Sequence, residues 1–206
     1  MKIKICGITN IEDALLCEAL GADALGFIFY KESKRYIAPP NAFEITKLLS
    51  PFTMKVGVFV NESSGNINQI ASEIKLNTIQ LLSVETSEST WKISLPIITS
   101  FRVDSNFDYG ILEDYPNNYY LLDTYSKTEY GGTGKVFDWK KIPDKYKSKI
   151  ILAGGISIDN IEEIYTKVKP AAVDVSSSLE SEPGKKDPEK VKAFFKKFNE
   201  LKGKTC

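Results

Sequence analysis

The chain contains no histidine, and this absence decides which side chains could move protons. Imidazole is the side chain that most often acts as a general base, partners a nucleophile or binds a metal near neutral pH. Proton transfer must therefore fall to aspartate, glutamate, cysteine, lysine or tyrosine. The two strongest candidates are Cys6 and Asp123, because each ends a short apolar run.

The surroundings of Cys6 allow two interpretations. The segment Thr9-Asn10-Ile11-Glu12 matches a capping box and predicts that a helix begins shortly after the thiol. A thiol near the partly positive start of a helix is shifted toward the reactive thiolate. The alternative is a small, inert cysteine buried in the core, which is the more common state of a free cysteine.

Asp123 follows the apolar run 119–122, so its carboxyl group is expected at the end of a buried strand. Partial burial there would raise its pKa and let it donate a proton near neutral pH. The alternative is a solvated aspartate at a strand end or a helix cap. The loop Tyr130-Gly131-Gly132-Thr133-Gly134 favours the first interpretation, because its glycines let the backbone fold closely over a bound molecule.

Two polar loops follow the last two apolar runs, Gly154-Gly155 and Ser176-Ser177. Backbone N–H groups in such loops can bind a phosphate without any net positive charge on the protein, so they predict a phosphorylated ligand. The alternative is an ordinary glycine turn and a polar loop. Asp174 alternates with two valines and is predicted to point into the same region or to cap a neighbouring element.

Arg35 is one of only two arginines in the chain and lies in the segment Ser33-Lys34-Arg35-Tyr36. Its planar guanidinium suits a carboxylate ligand, although an arginine in a charged surface loop is the simpler interpretation. The pairs Lys185-Lys186 and Lys196-Lys197 are interpreted as solvated faces.

The elements that must position these side chains alternate along the chain. Short β-type runs occupy residues 3–6, 24–29, 55–60, 78–82, 97–101, 119–123, 150–153 and 172–175. Helix-like spacing occupies residues 11–20, 43–49, 67–74, 158–168 and 188–201, with weaker signals at 86–91 and 107–114. This order predicts an α/β fold, a (β/α)8 TIM barrel that forms a single catalytic domain over residues 1–206, with its site at the carboxyl ends of the strands. An open doubly wound sheet is less favoured, because no Gly-x-Gly-x-x-Gly turn follows the first run.

Composition excludes several other classes of protein. The 27 basic and 27 acidic residues cancel, so no long-range field attracts nucleic acid or an anionic membrane. The longest stretch without charge, 63–72, is half of the roughly 20 residues that a membrane span needs. No signal peptide is recognisable, so we expect a cytoplasmic protein. Three cysteines at 6, 17 and 206 do not form a disulfide framework or a zinc site, and Cys17 and Cys206 are interpreted as structural.

The same residues lie within strings that together resemble the phosphoribosylanthranilate isomerase family of tryptophan biosynthesis. No single string is decisive, but their order and spacing over eight units are very specific. The strings are Lys4-Ile5-Cys6-Gly7-Ile8-Thr9, Gly21-Ala22-Asp23-Ala24-Leu25-Gly26-Phe27, Ser33-Lys34-Arg35-Tyr36, Val56-Gly57-Val58-Phe59-Val60-Asn61, Leu122-Asp123, Gly131-Gly132-Thr133-Gly134, Phe137-Asp138-Trp139, Leu152-Ala153-Gly154-Gly155-Ile156 and Val173-Asp174-Val175-Ser176-Ser177, with Glu180, Pro183-Gly184 and Lys186-Asp187.

The resemblance implies an Amadori rearrangement of N-(5-phosphoribosyl)anthranilate, an aminoaldose, to an aminoketose, without metal or cofactor. It assigns the general base to Cys6, the general acid to Asp123 and the contact with the anthranilate carboxylate to Arg35. It assigns the remaining substrate contacts to Asp174, Gly154, Gly155, Ser176 and Ser177. The implied partner is a small-molecule substrate, bound by a monomer or a homodimer.

The sequence departs from the family pattern at two places. Where Gln-Leu-His-Gly is usual, this chain has Gln80-Leu81-Leu82-Ser83, and where Ser-Ser-Gly is usual it has Ser176-Ser177-Ser178. The second change leaves open whether the eighth loop keeps a glycine conformation around phosphate. Two rival functions follow: a catalytically silent phosphosugar-binding barrel, or the related histidine-pathway isomerase, which uses two aspartates and is disfavoured by a cysteine at position 6.

Overall fold

The computed structural model describes residues 1–82, 92–116, 119–124 and 138–203. Eight strands form a closed barrel in which every neighbouring pair is parallel, and β1 pairs with β8 to complete it. The strands are β1 Lys2–Cys6, β2 Ala24–Ile28, β3 Met54–Val60, β4 Thr78–Leu82, β5 Ile97–Val103, β6 Tyr119–Thr124, β7 Ile150–Leu152 and β8 Ala172–Val175. The predicted barrel is confirmed, and each strand lies within two residues of its predicted bounds.

The strands bury side chains on both faces. A small apolar cluster fills the interior of the barrel, and its members are Val56, Ile98, Leu121, Ile151 and Ala153. A much larger cluster lies between the outer face of the barrel and the helices. Successive strand residues point to opposite faces, so every second residue points into the barrel. Inward-pointing polar residues near the carboxyl ends of the strands line the opening of the barrel there.

The helices are α1 Ile11–Ala19, α2 Pro39–Thr46, α3 Ser64–Glu73, α4 Asp144–Lys147, α5 Ile161–Glu163 and α6 Pro188–Gly203. The side chain of Asn10 caps α1 by accepting from the N–H of Asp13 at 2.8 Å. Proline at the start of α2 begins that helix four residues before the predicted position, because its fixed φ suits the first turn.

Two predicted helical segments differ from expectation. The segment 158–168 is α5 followed by a π-helical turn, Ile164–Val168, and 107–114 is a 3₁₀ helix over Tyr109–Asp114. The predicted helix at 86–91 lies outside the described residues. Across the described ranges, no helix combines the length and the apolar character needed to cross a membrane.

A short antiparallel hairpin follows the barrel and was not predicted. Its strands are β9 Glu180–Glu182 and β10 Lys185–Lys186. The hairpin buries the whole side chain of Lys186, so the interpretation of that residue as solvated is wrong. The reason is that an ammonium can be buried where a carboxylate and backbone carbonyls accept its hydrogen bonds.

Candidate active site

A pocket opens at the carboxyl end of the barrel and brings together all eight site residues expected from the sequence. These are Cys6, Arg35, Asp123, Gly154, Gly155, Asp174, Ser176 and Ser177. Further lining comes from Gln80 and Leu82 of β4, from Ser100 and Arg102 of β5, and from apolar residues of the barrel interior. The geometry therefore supports a single site at the end of the barrel where such folds place their chemistry.

Cys6 ends β1 with its side chain buried beside β2. Its neighbour in the strand register is Gly26, where a Cβ atom would lie 2.8 Å from Sγ of Cys6. Burial raises the pKa of the thiol and the Asp174 carboxylate raises it further, whereas Lys4 and Lys186 oppose the rise. The net direction is upward, so the expectation that the start of α1 favours the thiolate is wrong, because burial outweighs the opposing positive charges.

Asp123 lies on β6, next to Arg102 of β5 in the strand register. Its Oδ1 is buried and has no hydrogen-bond partner among the described residues. Burial is the main cause that raises the pKa of this carboxyl to about 6, with a contribution from Asp174, while the Thr124 N–H and the charges of Arg102 and Lys4 oppose it. The predicted rise in the pKa is confirmed.

Asp174 points into the pocket and pairs with a buried lysine. It is the register neighbour of Lys4 on β1, and the Nζ of Lys4 donates to Oδ1 of Asp174 at 2.9 Å. Burial raises the pKa of Asp174 although Lys4 and Lys186 oppose this. Burial lowers the pKa of Lys4, but Asp174 and Cys6 more than offset that effect and hold it above its usual value.

Arg35 lines the pocket and belongs to a buried ionic network. Its Nε and Nη2 donate to the Glu180 carboxylate at 2.7 to 3.1 Å, a two-pronged contact. The same carboxylate accepts from Nζ of Lys186 at 3.0 Å, and that ammonium also donates to the carbonyl oxygen of Cys6 at 2.7 Å. Burial raises the pKa of Glu180, but Arg35 and Lys186 outweigh it and hold the pKa below its usual range. One chain of contacts thus joins the guanidinium to the end of β1.

The loops after β7 and β8 lie side by side. Gly154 and Gly155 have φ of +79° and +69°, a backbone that other residues rarely adopt. The hydroxyl of Ser178 donates to the carbonyl of Ile156 at 2.6 Å and ties the two loops together. Ser178 belongs to the 3₁₀ helix Ser177–Leu179 and has no positive φ, so serine is accommodated there without strain.

Two features of the sequence lie wholly or partly outside the described residues. The glycine loop 131–134 and Ser83 are not described. Leu82 is described, and it lines the pocket close to where the family usually has an imidazole.

Four charged residues around the site had no site role assigned from the sequence, although three of them lie within the strings that resemble the family: Lys4, Arg102, Glu180 and Lys186. A signal existed for Lys4, because it precedes Cys6 by two residues on one strand and therefore shares its inward face. Arg102 likewise follows β-type residues at the end of a predicted strand. No local signal marked Glu180 and Lys186, because their partners are remote in the sequence.

A carboxyl group, a thiol and glycine-rich loops that meet in one pocket at the carboxyl end of a closed parallel barrel define a class, the (β/α)8-barrel enzymes. Comparison with known proteins gives the family. The family model for N-(5'-phosphoribosyl)anthranilate (PRA) isomerase matches residues 3–197. The chain belongs to this family, whose members are isomerases of tryptophan biosynthesis.

Relatives match over nearly their whole length. The N-(5'-phosphoribosyl)anthranilate isomerase of Trichlorobacter lovleyi is 46% identical over 202 residues, which cover 97% of this chain and 98% of that protein. A solved phosphoribosylanthranilate isomerase in complex with reduced 1-(o-carboxyphenylamino)-1-deoxyribulose 5-phosphate is 40% identical, with a TM-score of 0.85 and coverage of 98% and 99% of the two chains. A structure of monomers of the dimeric enzyme from Thermotoga maritima is 38% identical, with a TM-score of 0.84 and coverage of 97% and 98%.

Proposed function

We propose that the chain converts N-(5-phosphoribosyl)anthranilate to 1-(2-carboxyphenylamino)-1-deoxyribulose 5-phosphate, with Asp123 as the general acid and Cys6 as the general base. The observation that carries the proposal is that both groups line one pocket, on strands β6 and β1 of the barrel. The solved relative bound to a reduced form of that product supports the same substrate class.

Asp123 acts first. In its acid form it protonates the ring oxygen of the ribose, the bond between that oxygen and C1 breaks, and the anthranilate nitrogen becomes part of an open-chain iminium. A pKa of about 6 leaves a fraction of the carboxyl group protonated near neutral pH. Oδ1 of Asp123 has no hydrogen-bond partner among the described residues, so its hydrogen-bonding capacity is left for a substrate.

Cys6 acts second. As the thiolate it takes the proton from C2, the electron pair of the broken C–H bond forms a C1–C2 double bond, and the iminium electrons return to nitrogen. The resulting enolamine tautomerises to the aminoketose. Each proton transfer by a positioned group contributes roughly 10²–10⁴ in rate.

The other pocket residues position the substrate. Arg35 contacts the anthranilate carboxylate, and Glu180 holds the plane of its guanidinium in advance, which reduces the entropy lost on binding. Gly154, Gly155, Ser176 and Ser177 bind the phosphate through backbone N–H groups, and Asp174 contacts the sugar.

The decisive test is to mix the purified protein with phosphoribosylanthranilate and follow the loss of anthranilate fluorescence. We expect conversion at enzymic rates. Binding without conversion would instead support the catalytically silent barrel. Conversion of the histidine-pathway aminoaldose but not of phosphoribosylanthranilate would support the rival isomerase.

We further propose that two copies of the chain associate as a homodimer through the segment between α2 and β3. Phe52 is 93% exposed there, with Leu48 and Met54 beside it at 50% and 43%. Large apolar side chains grouped at a surface mark interaction sites. The segment leads into the amino end of β3, so a dimer formed there leaves the pocket at the opposite end of the barrel open. The dimeric relative from Thermotoga maritima supports a second copy of the chain as the partner at this surface.

A further inference from the structure

We propose that Lys4 is a positioning residue for the reaction: its ammonium holds and stabilises the thiolate of Cys6, and acts through that thiolate rather than on the substrate. The inference rests on the proposed role of Cys6 as the general base. It assigns a function to a buried lysine that the substrate contacts above leave unused.

The strand places the two groups together. Lys4 and Cys6 are two residues apart on β1, so both side chains point into the barrel. A Cβ atom on Gly26 of β2 would lie 2.8 Å from Sγ of Cys6 and 3.1 Å from Nζ of Lys4. Sulfur and ammonium therefore flank the same small space, which exists because position 26 has no side chain. The Lys4 side chain is only 3% exposed, so water screens its charge weakly.

Among the described residues, the charges that face Cys6 come from Lys4 on β1, Asp174 on β8 and Lys186 on β10. The ammonium of Lys186 donates to the Glu180 carboxylate and to the backbone carbonyls of Cys6 and Ser176. These acceptors compensate its charge next to the backbone of Cys6. Lys4 lies on the side of the thiol, between Cys6 and Asp174.

Removal of the Lys4 ammonium would leave the thiolate with Asp174 and with the ammonium of Lys186, which already contacts the Glu180 carboxylate and two backbone carbonyls. Burial of an uncompensated anion is strongly unfavourable, so the thiol would stay protonated to a higher pH. The protein would keep Cys6, but a smaller fraction of Cys6 would be thiolate at neutral pH. Lys4 therefore controls the amount of active thiolate.

The test compares Lys4→Met with two matched variants. Lys4→Arg keeps a positive charge at the same position. Lys2→Met removes the other lysine of β1, which is 73% exposed and pairs with Asp23 at the surface. The rate of alkylation of Cys6 by iodoacetamide is measured against pH, with the modified peptide quantified by mass. The midpoint of this profile reports ionisation directly and needs no turnover.

We expect the alkylation midpoint of Lys4→Met to rise by about one pH unit or more, equivalent to tenfold less thiolate at neutral pH. Lys2→Met should match the wild type and Lys4→Arg should recover part of the shift. The alkaline limb of kcat/KM should move with the alkylation midpoint, because Cys6 is the group of the proton-transfer pair with the higher pKa. An unchanged midpoint in folded Lys4→Met overturns the proposal, whereas an inactive wild-type protein with the expected midpoint shift would contradict only the proposed function.

A second measurement covers the case in which Lys4→Met does not fold. In the wild-type protein labelled with ¹⁵N at lysine Nζ, the Lys4 signal should titrate with the midpoint found by alkylation of Cys6. In Cys6→Ala that titration should vanish. A Lys4 signal that ignores the ionisation of Cys6 would overturn the proposal.

Discussion

Gly154 and Asp123 are so close that a Cβ atom on Gly154 would lie 2.5 Å from Oδ1 of the carboxyl group. The glycine also has φ of +79°, which other residues adopt only under strain. The backbone of the loop after β7 therefore forms one wall of the space that holds the Asp123 carboxyl group. Gly154, which the sequence predicts to bind phosphate, therefore has a second role: because it has no side chain, there is room for the Asp123 carboxyl group.

Gly154→Ala should displace the carboxyl group of Asp123. We expect kcat to fall by at least about tenfold and the protein to lose roughly 1 kcal/mol or more of stability, from the clash and the strained φ. Steady-state kinetics and urea unfolding check both effects. Gly65→Ala is the control, because a Cβ there meets nothing within 4 Å and alanine favours the helix α3. Full activity of Gly154→Ala would contradict the assignment of Asp123 as the acid.

Cys6→Ala and Asp123→Asn should each lower kcat by roughly 10²–10⁴, because each removes one proton-transfer group while nearly preserving side-chain volume. Loss of anthranilate fluorescence gives the rates, and circular dichroism shows whether the fold is retained. Cys17→Ala is the matched control: Cys17 lies in α1, outside the pocket, and burial raises the pKa of its thiol to about 12. Retained turnover in either site variant would refute that assignment.

Asp123 should make stability depend on pH in a predictable direction. Because its pKa is about 6 in the fold and 3.8 is the ordinary value, the folded state binds the proton more tightly. The stability from the protonated form is complete below the ordinary value and is lost as the pH rises through about 6. Asp123→Asn cannot ionise, so above that pH it should be more stable than the wild type by about 2–3 kcal/mol.

Urea unfolding of both proteins over a pH series measures the difference. It should be small in acid and grow to a plateau once the wild-type carboxyl group is ionised. A constant difference at every pH would show that Asp123 titrates alike in the folded and unfolded chains.

Arg35→Ala should raise KM by roughly tenfold or more, since a charge-assisted contact with a carboxylate contributes about 1.5–3 kcal/mol. The effect on kcat should be smaller. Arg35→Ala also removes one of the two cations that pair with Glu180. The double variant Arg35→Ala/Glu180→Gln controls for this effect, because it removes the negative charge of Glu180 as well. Arg35→Lys keeps the charge but loses the planar fork, so an intermediate KM is expected. A KM equal to that of the wild type would remove Arg35 from substrate binding.

Phe52→Lys should convert the proposed homodimer to monomers, because two buried ammonium groups would face each other across an apolar contact. Sedimentation equilibrium gives the mass of each protein. Lys192→Glu, on the exposed side of α6, should leave the mass unchanged. A wild-type protein that sediments as a monomer at micromolar concentration would refute the dimer.

The barrel could be predicted because each strand carries a local signal, the apolar run, and because strand and helix patterns alternate. The site could be predicted because this fold places chemistry at strand ends, where Cys6 and Asp123 lie. The hairpin of β9 and β10 could not, since two short charged strands have no apolar run. The burial of Lys186 and the raised pKa of Cys6 depend on groups far away in the chain. The cytoplasmic location stays a prediction.

The barrel joins the beginning of the chain to its end. Cys6 is translated before its surroundings: β8 pairs with its strand, and Ser176 and Lys186 donate to its carbonyl oxygen from 170 and 180 residues further along the chain. A nascent polypeptide therefore carries its thiol on an open sheet edge without organised surroundings. A polypeptide that stops before Lys186 lacks these contacts, so we expect it to be inactive even with Cys6 and Asp123 both present.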